Sequence, residues 1–165
     1  MKINIRKATK QDAKAAYRLI KELAKFENAV EEVTLSLEQF IKDGFECEQP
    51  LFRLNVAELT KENGEKEIVG ITLFYIIYST WKGKIVYLDD LVVTQKYRRN
   101  GVGQLLLNAL ILFAKTENAN QLRWHVLDWN TPAIKLYEKL GMKLENEWIT
   151  CKLSQQQLAS YVSTI

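Results

Sequence analysis

The sequence predicts one mixed α/β domain: a central, mostly antiparallel sheet of about six to seven strands accompanied by helices. Three observations lead there. The first 45 or so residues carry apolar side chains at helical spacing. The middle holds three runs rich in β-branched and aromatic residues, joined by hairpin-length turns. The last third alternates strand-like and helix-like segments. A chain of 165 residues, 47% apolar and 26% charged, is long enough for a substantial core and ordinary for a globular protein.

Ile3–Arg6 reads as a short strand. Thr9 then opens a capping box, "TKQD", ahead of Ala13, Ala16, Tyr17, Ile20, Leu23 and Ala24 at helical spacing, with an end near Phe26. A second helix is signalled by "SLEQ" at Ser36, carries Leu37, Phe40 and Ile41, and is expected to stop at Gly44. "LFRLNVAEL", "EIVGITLFYIIY" and "GKIVYLDDLVV" are the three middle strands. Val102, Leu105, Leu106, Ala109 and Phe113 form the stripe of the next helix. "QLRWHVLD" reads as a strand parallel to the one before that helix, because a crossover helix is the usual link between parallel strands. Asn130 is a good N-cap, Pro132 suits a first turn and Gly141 a C′ position, giving a helix over Thr131–Leu140. "NEWITCKL" reads as a last strand and "SQQQLASYV" as a last short helix.

The stretch between the third middle strand and the Val102 helix, "YRRNGVGQLL", carries the chemistry. A helix N-terminus presents unpaired N–H groups and partial positive charge. Gly101 and Gly103 allow positive φ and close approach of a ligand to the backbone, and Arg98 and Arg99 add charge. Together these would cradle a diphosphate. From these letters alone, a plain tight turn with solvated arginines reads equally well. A P-loop is excluded because Gln104 and Leu105, not Lys and Ser/Thr, follow Gly103. A dinucleotide fingerprint is excluded because Leu106 stands where a small residue is needed.

Arg98-Arg99-Asn100-Gly101-Val102-Gly103 resembles the acetyl-CoA loop of the GNAT acetyltransferase superfamily, Gln/Arg-x-x-Gly-x-Gly/Ala. "WNTPAIKLYEKLGM" is similar to the family's N-x-x-A-x-x-x-Y-x-x-x-G-F segment, with Met142 in place of Phe. "LIKELAKFE", "DGF", "YLDDLVV" and "DWNTPAIKLYEKLG" narrow the resemblance to the diamine (spermidine/spermine) N-acetyltransferase branch, over most of the chain. The resemblance implies a sheet splayed in a V with helices on both faces, acetyl-CoA wedged where two parallel strands part, and a homodimer. It implies acetyl transfer to a primary amine in a ternary complex. Leu91, Val92 and Val93 would pair their main chain with pantetheine; Arg98, Arg99, Asn100, Gly101, Val102, Gly103 and Gln104 would hold the diphosphate; Asn130 and Ala133 would line the CoA channel. Tyr137 would be the general acid and a second contact to the cofactor. Asp89 stands where the branch has a glutamate assigned to amine deprotonation, shorter by one methylene.

An alkylamine has a pKa of about 10.4 and arrives protonated, so a base is required, and a departing thiolate needs a proton. Asp89 and Asp90 are adjacent on a strand and are expected to face opposite sides. Glu27, Asp89, Asp90, Trp81 and one of Glu145 or Glu147, with Glu147 preferred, are candidates for the amine site. Ser79 and Thr80 stand before Trp81, where the branch has an acid, and the chain is basic at net charge +3. A lysine-like amine therefore fits about as well as a polyamine. A protein or peptide acetyltransferase is an alternative; a non-catalytic acyl-CoA-binding module would lack the Asp89–Tyr137 pair.

Other classes are disfavoured. "ITLFYIIY" is too short to cross a bilayer, and the N-terminus lacks the apolar core of a signal peptide. A cytoplasmic location follows as the expectation, with no membrane partner. Cys47 and Cys151 are expected to be free thiols; with one histidine they make no recognisable zinc site, so no metal is expected. Lys96, Arg98 and Arg99 are too few to signal nucleic acid.

Overall fold

The computed structural model describes residues 2–162. Among them the elements run β1 (Lys2–Lys7), α1 (Ala13–Phe26), α2 (Leu37–Ile41), β2 (Arg53–Thr60), β3 (Lys66–Ser79), β4 (Gly83–Val93), α3 (Val102–Thr116), β5 (Gln121–Arg123), α4 (Thr131–Lys139) and α5 (Gln155–Ala159). They fall into two compact units, Met1–His125 and Val126–Ile165.

The first unit is a sheet in the order β1-β2-β3-β4-β5. β1 to β4 pair antiparallel in sequence, β2–β3 and β3–β4 through hairpin-length turns and β1–β2 through a connection that holds α1 and α2, and β5 joins β4 in parallel after the α3 crossover. The Thr9 capping box forms, with the Thr9 amide and hydroxyl both donating to Asp12. Asp12 also receives Arg6, which bridges to Glu58 on β2 and fastens the start of α1 to the sheet.

The two faces of the sheet are covered differently. Ala13, Ala16 and Leu19 of α1 and Phe40 of α2 pack on Leu54, Val56, Ile71, Leu73 and Val92. On the opposite face Val102 and Leu106 of α3 pack on Ala57, Leu59 and Val69, with Leu91 and Val93 alongside. Full burial of a side chain such as Leu19 or Leu106 stabilises by about 2 kcal/mol. The inward face of α3 is centred on Leu106, Leu107 and Leu110; Leu105, expected on that stripe, is exposed.

Three boundaries differ from the sequence expectation. Gly44 does not stop the second helix, because Lys42–Glu46 continues as a wider π turn. A Cβ at Gly44 would lie 2.2 Å from Cζ of Phe52, so the glycine makes room for an aromatic ring. β5 ends at Arg123 instead of running through residues 124–128. Its ladder with β4 stops at Tyr87↔Arg123, just before β4 bulges, and a bulge bends and twists the strand that carries it.

The third difference lies in the second unit. "NEWITCKL" is not a strand: a strand requires a partner's ladder, and residues 146–153 have none among the described residues. Five strands therefore stand where about six to seven were expected. α4 and α5 form as expected: Asn130 accepts from the Ala133 amide, Pro132 sits in the first turn, Gly141 adopts φ +74°, and Ser154 builds a second capping box.

Candidate active site

The decisive irregularity lies in β4. Leu88 pairs with Phe74 and Asp90 with Leu73, so Asp89 is an extra residue with no partner on β3. Regular alternation would send Asp89 and Asp90 to opposite faces; the bulge cancels that expectation. Val92, two residues beyond Asp90, packs in the α1 cluster, while Leu91 and Val93 pack in the α3 cluster. Asp89 accepts a hydrogen bond from the Tyr75 hydroxyl at 3.2 Å, and Tyr75 also packs in the α1 cluster. Both carboxyls thus belong to the α1 side.

The electrostatics agree. Burial pushes the half-buried Asp90 carboxyl up to about 7, helped by the charges of Asp89 and of Glu27 at the C-terminus of α1. Burial also raises Glu27. Tyr75 is pushed up to about 12, first by burial and then by Asp89. The three acids Glu27, Asp89 and Asp90 share one field, with Tyr75 against it. Such a site favours a cation, and it has the means to accept a proton near neutrality.

The second half of the site is the turn into α3. Arg99 and Gly101 both adopt left-handed φ, +63° and +78°, which curls the chain between them. No side chain caps α3 at Gly101. The first amide received by the helix entrance is that of Leu105, bonded to Gly101 O at 3.0 Å. The amides of Val102, Gly103 and Gln104 therefore point out of the helix end. A Cβ at Gly101 would meet nothing within 4 Å, and one at Gly103 would meet only Val93 Cγ2 at 3.8 Å. Gly101 is needed for its positive φ. Gly103 is not demanded by the fold, and its missing side chain fits a diphosphate lying against the backbone.

Arg98 has a structural role in the turn. Its Nε donates to Val93 O at 2.9 Å and its guanidinium lies 4.9 Å from the Phe26 ring centroid, so it binds the turn to β4 and α1. Asn100 donates to Arg98 O, and Gln104 to Asn108. Past Tyr87, β4 has no partner strand on its β5 side among the described residues, which leaves Leu91, Val92 and Val93 on an open edge.

The remaining expected residues lie elsewhere. Trp81 is 81% exposed in the β3–β4 turn and is not gathered with the acids. Asn130, Ala133 and Tyr137 share α4 or its cap in the second unit; Tyr137 is buried and Glu147 is exposed.

The family model described as "Acetyltransferase (GNAT) family" matches residues 13–142. The chain belongs to this family. Thialysine N-epsilon-acetyltransferase of Mus musculus is 41% identical over 140 residues, 83% of this chain and 82% of that protein. Spermidine/spermine N(1)-acetyltransferase-like protein 1 of Homo sapiens is 33% identical over 159 residues, 93% of this chain and 23% of the longer protein. The crystal structure of a possible acetyltransferase from Clostridium difficile 630 superposes with a TM-score of 0.72 at 21% identity, covering 93% and 99% of the two chains; it shows the fold. This GNAT chain is an N-acetyltransferase, and its family's acyl donor is acetyl-CoA.

Four residues beside the candidate site were not singled out from sequence. Glu22, Tyr75, Tyr87 and His125 make side-chain hydrogen bonds that frame it. Tyr75 and Tyr87 were within reach, since a hairpin closed at Ser79↔Gly83 sets them opposite one another. Glu22 and its partners lie more than 70 residues apart and carry no local signal.

Proposed function

We propose that this acetyltransferase acylates the primary amine of a short aminoalkyl substrate, lysine-like or a small diamine, in a ternary complex with acetyl-CoA. The observation that carries the reading is the bulge at Asp89, which gathers Asp89 and Asp90 on one face with Glu27 and Tyr75. Three acids offer an alkylammonium a site to bind and a carboxylate to receive its proton. The relatives named for thialysine and for spermidine/spermine support the same acceptor class.

When bound, acetyl-CoA supplies an activated thioester acyl group. The outward amides of Val102–Gln104 and the positive φ of Arg99 and Gly101 suit its diphosphate, while Leu91–Val93 offer main-chain groups to its pantetheine arm. Asp89 takes the ammonium proton through water, its Oδ1 being oriented by Tyr75. Tyr137 protonates the departing thiolate; a phenol of pKa about 10 can serve a thiol of about 8.5. The chain is one acetyltransferase domain over 1–165, and the family match across residues 125–126 supports this. The enzyme works as a cytoplasmic homodimer, on the analogy of the diamine branch.

A CoA-release screen over lysine analogues, diamines, polyamines and short peptides tests the assignment. Turnover greatest with a lysine-like amine or diamine, with intersecting double-reciprocal lines, is expected. Tight acetyl-CoA binding without turnover of any amine would point to a regulatory module instead.

A further inference from the structure

His125 is the single histidine of the chain and lies two residues beyond β5. Tyr87 is the last β4 residue paired to β5, opposite Arg123. The Tyr87 phenol oxygen stands 2.7 Å from His125 Nδ1, with the rings edge to face at 5.7 Å. A side-chain hydrogen bond thus takes over where the backbone ladder ends. Tyr87 in turn stacks on Tyr75 across the hairpin, centroids 5.3 Å apart and planes 28° apart. The Tyr75 hydroxyl donates to Asp89. The row His125, Tyr87, Tyr75, Asp89 is continuous.

The Tyr87–His125 bond is assigned with the phenol as donor. The phenol carries one proton and has no recorded acceptor but Nδ1 among the described residues. Burial, then the charge of Asp89, raises the Tyr87 phenol despite nearby Arg123, so the proton stays on oxygen. A neutral imidazole that accepts at Nδ1 carries its own proton on Nε2.

We propose that His125 is a positioning residue of the acceptor site: it fixes the Tyr87 ring, and Tyr87, stacked on Tyr75, keeps the Tyr75 hydroxyl on Asp89. The inference rests on Asp89 lying in the amine site, as argued under the proposed function. It assigns no part in cofactor binding to His125, because the α3 turn is built by other residues.

Two experiments test it. In the apoprotein the lone histidine gives one set of ring 15N resonances. The Nε2–H tautomer is expected, shifting to a tautomer mixture in Tyr87→Phe; an Nδ1–H tautomer overturns the phenol as donor, and a tautomer unmoved by Tyr87→Phe overturns the hydrogen bond. The side-chain carboxyl 13C resonance of Asp89 should move in His125→Ala in the same sense as in Tyr75→Phe, and an unmoved resonance overturns the relay to Asp89. These readings hold whether or not any amine is turned over, so a failed activity screen would sink the proposed function separately. With an active acceptor, His125→Ala and Tyr87→Phe should each lower amine kcat/KM about 5- to 10-fold and the double variant no further, as coupled residues do. His125→Asn, whose Oδ1 can accept from the phenol, should recover most of the loss, and the KM for acetyl-CoA should stay within about twofold. Additive losses, or an equal rise in acetyl-CoA KM, would mark a merely structural residue.

Discussion

Glu22 of α1 accepts from the hydroxyl of Thr94 and from the amide of Gln95, each at 2.8 Å. One carboxylate thereby ties the helix on one face of the sheet to the segment that leads into the Arg98–Gly103 turn. Hydrogen bonds to a charged group are worth about 1.5–3 kcal/mol each in favourable cases, and Glu22 makes two. Glu22→Ala should loosen the turn without touching the acids of β4. The expected result by calorimetry is an acetyl-CoA Kd raised about 5- to 10-fold, while kcat at saturation falls less than about twofold. An unchanged Kd would show that the turn holds its shape without α1.

Gly103 separates fold from function at one position. A Cβ there meets only Val93 Cγ2, at an ordinary contact distance, so the protein itself tolerates alanine. Gly103→Ala should leave Tm unchanged or raised by up to about 4 °C, since alanine gains about 1 kcal/mol of helix propensity. The same methyl would stand against a diphosphate and weaken acetyl-CoA. Gly103→Asp adds a like charge to the bulk and should abolish binding. Normal affinity in the Asp variant would remove the cradle from the model of the site.

Asp90 gives the enzyme a pH dependence whose sign can be worked out. Its carboxyl is raised to about 7 in the folded protein, first by burial and then by Asp89 and Glu27, against about 4 in an unfolded chain. Between those values the folded state binds the extra proton, so stability falls as pH rises from about 4 to about 7. Activity runs the other way: an ammonium acceptor binds best when Asp90 is charged, so amine kcat/KM should climb through pH about 7. Asp90→Asn should flatten both dependences. A rate profile with the same inflection in wild type and variant would assign it elsewhere.

Asp12 titrates with the opposite sign. The hydrogen bonds from Arg6 hold its carboxyl at about 2, below its usual value, despite partial burial. Its stabilisation is present above about 4 and is lost as pH falls toward about 2. Asp12→Asn should therefore lower Tm at neutral pH and less so near pH about 2; an equal loss at both would reduce the Arg6 contact to packing.

Much of this architecture was legible in the letters, and the exceptions share a cause. Caps announced themselves: Thr9, Ser36, Asn130 and Ser154 each stand immediately before helical turns. The Gly101–Gly103 turn was legible because positive φ and close approach leave a local residue signature. The bulge at Asp89 was not, since a register shift depends on which β3 residue lies opposite, and "YLDDLVV" alternates well enough without it. Gly44 misled for a related reason: its role is set by Phe52, packed against it from another segment. Residues 146–153 have strand composition, but pairing is a property of two segments. Tertiary partners decide what local patterns leave open.

Thr72 is the place where the core can be improved. It lies on β3 opposite Leu91, fully buried, and its hydroxyl has no hydrogen-bond partner among the described residues. An orphaned buried hydroxyl costs about 1–3 kcal/mol relative to a satisfied one. Thr72→Val replaces that oxygen by a methyl of nearly the same size and keeps the β-branch that suits a strand. The variant should gain about 1 kcal/mol, seen as a Tm raised by about 2–4 °C, with amine kcat/KM unchanged. A fall in Tm would mean that the hydroxyl is satisfied by an internal water, and the position would then be a water site of the sheet core.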